Sequence, residues 1–208
     1  MRIHKNVKSL FYSSAALAAL LLPARATAAP QGGVVSAGQA TISYNAAKTD
    51  IVQSSNKAII DWQSFDISAG EHTQFHQPSS SSITLNRVHD SKASEINGKL
   101  TANGHVMVIN QSGVVFGAGS QVDVGSLTVT SADIDNADFM GGTYDFKHQG
   151  DKDAAIINKG QISVKDAGLV NLVAPHVEND GVIVAKMGKI HLASADSFTL
   201  DMAGDGLT

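Results

Sequence analysis

Cysteine is missing from all 208 residues of the sequence, which excludes disulfide bonds and a cysteine nucleophile. Burial of apolar side chains and pairing of backbone groups must therefore hold the fold together. Aromatic residues make up only 5% of the chain, and charged residues only 16%. Glycine, valine, isoleucine, alanine, serine, threonine and asparagine dominate instead, a composition that favours short strands joined by tight turns.

The sequence patterns of common catalytic sites are also missing. There is no Gly-x-Ser-x-Gly motif, and the glycine-rich stretch 113–119 lacks the Lys-Ser/Thr that completes a phosphate-binding loop. His72 and His76 lie four residues apart but lack the glutamate of the zinc-protease motif, and the nearby Phe75 and Pro78 favour a strand. We therefore predict that the protein is not an enzyme and has no catalytic residue, metal site or cofactor.

Charge is distributed unevenly along the chain. The first 28 residues contain four basic and no acidic residues, and the rest contain 11 basic and 19 acidic ones, a net charge of −8. A surface with this balance repels polyanions, so neither nucleic acid nor an anionic lipid surface is expected as a partner.

The first 28 residues have the three parts of a secretory signal. Basic residues come first, an apolar run follows at residues 15–22, and small residues at positions 26–28 end the segment. The run is too short to span a bilayer, and no later segment is apolar enough to do so. We therefore predict a signal peptide over residues 1–28 and an exported mature domain over residues 29–208.

The most informative pattern is a tight-turn tetrapeptide between two apolar runs of β type, residues 106–109 and 114–116. The tetrapeptide reads Asn110-Gln111-Ser112-Gly113. Asparagine and serine side chains can hydrogen-bond the local backbone, and a glycine can take a positive φ angle without steric cost. The pattern predicts a strand, a turn and a second strand, with the turn fixing the register.

A repeat of about twenty residues runs through the C-terminal part of the chain. The heptapeptide 158–164 recurs at 179–185, and the heptapeptide 168–174 recurs at 188–194. Each copy alternates apolar side chains between the two faces of a short strand. Such strands bury a continuous interior when successive coils stack, so the repeat favours a parallel β-helix. A β-sandwich is the alternative, although sandwich strands have no reason to recur at a fixed period.

Three segments fall outside this repeat. Residues 30–60 alternate like antiparallel strands and are expected to cap the open first coil, with Trp62 anchoring the cap. Residues 135–153 are expected to leave the coil stack as a β-hairpin. Residues 201–208 contain no polar capping helix, which indicates that the natural protein continues or that the chain is a remnant of a longer one.

Three stretches of sequence carry a family resemblance: residues 59–67 with 75–79 and 85–88, residues 100–117, and residues 121–134. They are similar to the N-terminal domain of filamentous haemagglutinin, the two-partner secretion (TpsA-type) domain of bacterial exoproteins and haemagglutinin-like adhesins. The usual turn sequence of the family is Asn-Pro-Asn-Gly, and Gln111 and Ser112 depart from it. Without the proline, the φ angle at that position is no longer fixed.

The resemblance implies a fold and a function. The fold is an all-β, right-handed, single-stranded parallel β-helix with an N-terminal β cap. The function is to target a large exoprotein or adhesin for secretion and to nucleate its β-helix folding. The implied partner is an outer-membrane β-barrel transporter of the TpsB type, which recognises the domain in the periplasm through POTRA-type domains.

The resemblance also implies where the protein goes and which residues act. The exported protein is expected either in the medium or at the cell surface, on the outer membrane. No small-molecule substrate is expected. The residues expected to carry partner recognition are Asn86, Arg87, Asn110, Gln111, Ser112 and Gly113.

A β-helical polysaccharide lyase or hydrolase is the alternative function. Such an enzyme needs paired carboxylates, a calcium cluster or basic residues along one sheet. The positions expected to face outward are mostly neutral, namely Gln161, Ser163, Asn171 and His191. This pattern favours the secretion domain.

Overall fold

The computed structural model describes residues 29–202, and within this range every secondary-structure element except one is a β-strand. The exception is a six-residue helix, α1, at Asn136–Gly141. The strands in chain order are β1 Val34–Ala37, β2 Ala40–Asn45, β3 Lys48–Gln53, β4 Lys57–Trp62, β5 His72–His76, β6 Ile83–Val88, β7 Ser94–Ile96, β8 Lys99–Ala102, β9 His105–Asn110, β10 Gly113–Phe116, β11 Gln121–Val124, β12 Ser126–Thr130, β13 Asp145–Phe146, β14 Ala155–Asn158, β15 Gln161–Val164, β16 Leu169–Ala174, β17 His176–Asn179, β18 Val182–Ala185, β19 Lys189–Ser194 and β20 Phe198–Thr199.

Three sheets run along the length of a parallel β-helix. The first sheet has the strand order β1-β4-β6-β9-β12-β16-β19, the second β18-β15-β11-β8-β5-β3-β2, and the third β17-β14-β10-β7. Apart from the contacts of β1 and β2, every strand pair in these sheets is parallel. The predicted parallel β-helix is confirmed, and the β-sandwich alternative is wrong.

The sequence repeat corresponds to one coil of this helix. Ile162 pairs with Ile183, and Val170 pairs with Ile190, so the two copies of the repeat lie directly above one another. Val106 and Leu127, which pair in register, point inward and are fully buried. Stacking therefore gives the continuous interior that a single short strand cannot form.

The N-terminal cap is built from antiparallel strands, as expected. β1 pairs antiparallel with β4, and β2 pairs antiparallel with β3, whereas β3 and β4 already pair in parallel with the next coil. Trp62 lies beneath the cap with no exposed surface and meets Phe65 edge-on at 5.4 Å between ring centroids. The backbone of Gly33 lies so close to the indole that a Cβ there would overlap the ring.

The insertion after β12 leaves the coil stack, but its structure differs from the expected hairpin. It contains α1 followed by β13, and β13 pairs antiparallel with the distant strand β20 instead of with a neighbour in the insertion. We call residues 133–148 the flap. An antiparallel bridge between Asp133 and His148 closes its base.

The flap covers the outer face of the first sheet and forms a second apolar core there. Its buried side chains pack with apolar side chains of the sheet that point away from the helix interior. The flap contributes Ile134, Phe139, Tyr144 and Phe146, the sheet contributes Ile59, Ile83, Leu85, Met107, Ile109 and Val173, and the C-terminal segment contributes Phe198 and Leu200. The strands β4, β6 and β9 of the first sheet therefore bury apolar side chains on both faces, whereas the edge strands β1 and β19 remain partly exposed.

The signal peptide predicted for residues 1–28 lies outside the described residues, as do residues 203–208. Within the described range, no helix has the length and apolar character needed to cross a membrane.

Candidate functional site

Asn110 ends β9 at the corner where the chain passes from the first sheet to the third sheet. Its side chain is fully buried, and its Nδ2 donates hydrogen bonds of 3.0 Å to the Lys92 carbonyl oxygen and the Ser94 hydroxyl. Its Oδ1 accepts the backbone N–H of Ser112 at 2.9 Å. The side chain therefore closes the turn and at the same time ties it to the preceding coil.

Gly113 continues this corner toward the following coil. Its φ angle is 101°, in the left-handed region that favours glycine, and a Cβ would overlap the carbonyl oxygen of Ala155. Gln111 has an exposed side chain, and its carbonyl oxygen accepts the Asp151 N–H at 2.8 Å. The corner thus contacts the coil before it and the coil after it.

Asn86 lies inside the β-helix on β6 and has no exposed surface. Its Oδ1 accepts a hydrogen bond of 3.0 Å from the Trp62 Nε1, and its Nδ2 donates to the Met107 carbonyl oxygen at 3.1 Å. A buried amide needs such partners, because leaving one group unpaired costs about 1–3 kcal/mol. Asn86 therefore connects the coil below the cap to the next two coils.

Arg87, the next residue, points to the opposite face of the sheet and holds the base of the flap. Its Nε lies 2.9 Å from Asp133 Oδ1, its Nη1 donates to Asn136 Oδ1 at 2.7 Å, and its Nη2 donates to the Ile134 carbonyl oxygen at 2.7 Å. Only 11% of the side chain is exposed. One guanidinium thus binds three successive parts of the flap.

Asp61 completes this charged group from the neighbouring strand, with Oδ1 3.6 Å from Arg87 Nη1 and 2.9 Å from His89 Nε2. Partial burial raises the pKa of Asp61, but hydrogen bonds from Ser36 and His89 and the charge of Arg87 outweigh it. The net result is a pKa below the ordinary value, so the carboxylate is ionised at neutral pH.

Lys57 holds the other end of the flap helix. Its Nζ donates hydrogen bonds to the carbonyl oxygens of Phe139 (3.0 Å) and Met140 (3.3 Å), in the last turn of α1. The same ammonium lies 5.1 Å from the centroid of the Tyr144 ring. The first sheet therefore presents two cations to the flap, Lys57 at the C-terminal end of α1 and Arg87 near its N-terminal end.

A row of polar side chains crosses the outer face of the first sheet beside the second core. His105 Nε2 lies 2.9 Å from Thr128 Oγ1, Asn171 Nδ2 donates to the same hydroxyl at 3.3 Å, and Asn171 Oδ1 accepts from His191 Nδ1 at 2.9 Å. Asn171 faces outward as expected, but it is fully buried and is not part of a solvent-facing surface.

His105 is the most strongly perturbed titratable group in the described part of the chain. Complete burial lowers its pKa from 6.5 to about 3, because a charged imidazole would be stripped of water. Its Nδ1 has no hydrogen-bond partner among the described residues. The ring is therefore neutral at neutral pH.

His72 and His76 lie on β5, so the predicted strand is confirmed there. His72 Nε2 is 2.7 Å from Thr101 Oγ1, and His76 Nε2 is 3.2 Å from Asp50 Oδ1. The two imidazoles therefore have separate partners. Within residues 29–202, no group of three or more histidine, aspartate or glutamate side chains is arranged to hold a metal ion.

The structure brings the two groups of predicted recognition residues to adjacent strands. Arg87 pairs with Ile109, and Val88 pairs with Asn110, so both groups lie near the same ends of β6 and β9. Asn86 and Asn110 point into the interior, whereas Gln111 is exposed. Lys57 is a contact residue that the sequence reasoning missed, since no local pattern links it to the carbonyl groups of Phe139 and Met140, 82 and 83 residues later.

Comparison with known families and structures gives matches over most of the chain. The model of the TPS secretion domain matches residues 26–206. The crystal structure of the HMW1 secretion domain from Haemophilus influenzae superposes with a TM-score of 0.76 at 35% sequence identity, over 82% of this chain and 46% of that one. At this identity the similarity covers sequence as well as fold.

Two curated proteins of Haemophilus influenzae, both heme/hemopexin-binding proteins, are also similar to the chain. The one from strain Rd is 35% identical over 188 residues, which cover 86% of this chain and 20% of the relative. The other is 38% identical over 124 residues, which cover 59% of this chain and 13% of the relative. The chain thus spans a fifth or less of the length of these relatives.

Proposed function

The chain belongs to the family of TPS secretion domains of TpsA-type exoproteins, and we propose that it is the module by which an outer-membrane transporter selects a large exoprotein or adhesin. The transporter is a β-barrel of the TpsB type, and its soluble POTRA-type domains bind the module in the periplasm. The observation that carries the proposal is the match of 181 continuous residues, 26–206, on a capped β-helix. This family is a family of secretion domains and not of enzymes.

The topology supports folding that starts at the cap. In a parallel β-helix each coil pairs its backbone groups with the preceding coil, and here β1 and β2 close the first coil with antiparallel pairs. A later coil therefore finds its hydrogen-bond partners only after an earlier one has formed. We propose that the domain nucleates the β-helix of the exoprotein in this order.

Recognition then takes place while a strand edge is still open. A POTRA-type domain can add a strand to the last closed coil, with main-chain hydrogen bonds supplying affinity and side chains supplying specificity. Asn86, Asn110 and Gly113 contribute by closing the coils that present this edge, since their side chains or backbone contacts are internal. Arg87 is engaged with the flap, and the corner residues Gln111 and Ser112 are accessible.

Residues 1–28 are proposed to be the signal peptide that delivers the domain, residues 29–208, to the periplasm. The exported protein is then released to the medium or held at the outer-membrane surface.

Co-expression with and without the cognate transporter tests the proposal, with the amount of protein in the culture medium as the readout. We expect release only when the transporter is present. The joint substitution of Asn110 and Gly113 by alanine and valine should reduce release, while Lys165→Gln, on an exposed ion pair of the second sheet, should not. Equal release without the transporter would refute the secretion function and favour the lyase alternative.

A further inference from the structure

The part of the first sheet's outer face that the flap covers is apolar, unlike the middle of the second sheet's outer face. Six sheet residues that face the flap are at most 6% exposed: Ile59, Ile83, Leu85, Met107, Ile109 and Val173. On the middle strands of the second sheet the outward positions are mostly polar and include Gln74, Gln121 and Gln161, whereas exposed apolar residues occur toward its ends at Val52 and Val182. Of these two sheets, the first therefore has the outer surface better suited to binding another apolar segment.

The β-helix does not need the flap for its own pairing. Gln121 pairs with Gln161, and Leu127 pairs with Val170, so the ladder continues in register across the insertion. At the base of the flap, the backbone N–H of Asp133 donates to His148 O at 2.7 Å, and the N–H of His148 donates back at 3.2 Å. The flap therefore enters and leaves the stack at one point, and its strand β13 pairs with β20 of the C-terminal segment, so the flap and that segment can separate from the sheet while the coils remain closed.

The contacts of the flap describe the chemistry that this surface binds. Phe139 and Phe146 are fully buried and pack in one cluster with the outward apolar side chains of β4, β6 and β9, which we call the apolar strip: Ile59, Ile83, Leu85, Met107 and Ile109. Asp133 supplies a carboxylate to Arg87, and backbone carbonyl oxygens of the last turn of α1 bind Lys57. A matching ligand is thus a peptide segment with large apolar side chains, a carboxylate for one cation and carbonyl oxygens for the other.

We propose that the outer face of the first sheet is a docking surface for the transporter's periplasmic domain, and that the flap competes with it. The proposal rests on the proposed function. The partner segment is aromatic and acidic, and it occupies the strip between Lys57 and Arg87 before the flap docks. The strands β4, β6 and β9 precede the flap in the chain, so the strip forms before its intramolecular cover is available.

Docking of the flap then displaces the partner. The flap is part of the same chain and therefore competes at a high effective concentration. The apparent affinity of the partner is its intrinsic affinity multiplied by the fraction of molecules whose strip is open, so a smaller open fraction gives weaker binding. Binding therefore comes before release, because a chain that has completed the second core no longer binds the transporter domain.

Two variants of the mature chain weaken the cover of the strip without altering the sheet. In the first, residues 135–146 are replaced by two glycines, which keeps the paired base at Asp133 and His148. In the second, Asp133→Asn removes the carboxylate that Arg87 binds and leaves every residue of the strip unchanged. The matched control is Asp123→Asn, which breaks an exposed ion pair with Lys165 on the second sheet.

Isothermal titration with the purified periplasmic domains of the cognate transporter measures the effect. We expect the flap-deleted chain to bind about tenfold more tightly than the unaltered chain, the Asp133→Asn chain to lie between them, and the control to match the unaltered chain. A synthetic peptide of residues 133–148 should bind the flap-deleted chain and displace the transporter domains. If the deleted chain does not fold, the Asp133→Asn comparison alone decides.

Equal affinity of the unaltered chain and both variants, or failure of the peptide to compete, would overturn the docking surface and leave the proposed function intact. No binding by any form, together with export that does not require the transporter, would overturn both.

Discussion

Trp62 and Asn86 meet inside the β-helix, where the indole Nε1 donates a hydrogen bond of 3.0 Å to the asparagine Oδ1. Both side chains are completely buried, so water cannot replace either partner. The indole also supports Gly33 of the N-terminal segment, and the amide continues to the Met107 carbonyl oxygen. This hydrogen bond therefore links Trp62, which supports the cap, to the next two coils.

Replacing Trp62 by phenylalanine tests this connection. The substitution keeps an aromatic ring but leaves Asn86 Oδ1 without its donor and opens a cavity beside Gly33. We expect the free energy of unfolding to fall by about 2–4 kcal/mol in a urea titration. Tyr44→Phe, at a half-exposed position of the cap, is the control and should change it by less than about 0.5 kcal/mol.

Gly113 and Ser112 should respond very differently to substitution. Gly113→Val places a β-branched side chain at a φ of 101° and against the Ala155 carbonyl oxygen, so we expect a loss of at least about 3 kcal/mol. Ser112→Ala removes a partly exposed hydroxyl and should cost less than about 0.5 kcal/mol. Urea titration measures both, and similar losses would show that the corner does not depend on the glycine.

Asn110 should matter more than its neighbour Gln111. Asn110→Ala removes the two donated bonds and the accepted bond of a buried amide, which should destabilise the fold by about 2–4 kcal/mol. Gln111→Ala changes an exposed side chain and serves as the matched control. Thermal unfolding followed by circular dichroism compares the two, and an equal melting temperature would contradict the assignment of Asn110 to the turn.

His105 should make the protein sensitive to mild acid. Its folded pKa of about 3 lies below the 6.5 of a free imidazole, so the unfolded chain binds the proton first. Stability is therefore lost as the pH falls from about 6.5 toward 3, and the His105 contribution between pH 8 and pH 4 is about 3 kcal/mol.

The variant His105→Gln should remove that part of the pH dependence, whatever its effect on stability at pH 8. His176→Gln, at an exposed position, should retain the slope of the unaltered chain. Urea titrations at pH 4, 6 and 8 give the comparison, and an unchanged slope in His105→Gln would refute the neutral buried state.

The sequence predicted those features that arise from local patterns. The repeat at 158–164 and 179–185 predicts one coil, because alternation on a short strand leaves one apolar face that only a neighbouring coil can cover. Gly113 could be assigned a positive φ because asparagine and serine precede it at a strand end. Both inferences need only nearby residues.

The excursion from the coil stack was predicted, but its internal structure and the second core were not, although one signal for the core was present. Residues 106–109 form an unbroken apolar run, and such runs are typical of parallel strands buried on both faces. The helix α1 has six residues, and its N-cap Asp135 makes no side-chain capping bond, so propensity gives little indication of it. Its position depends on Lys57 and Arg87, and these distant contacts leave no local pattern.

Because the ladder is uninterrupted on either side of the flap, the base of the flap is a site at which another domain could be inserted. Gln121 pairs with Gln161 across the insertion in the same way that it pairs with Lys99 on the preceding coil, so pairing follows proximity in space and not distance along the chain. A foreign domain with adjacent termini could be spliced between Asp133 and His148 and carried on the side of the rod. The same property makes the base of the flap a position at which evolution can lengthen the chain without changing the pitch of the coils.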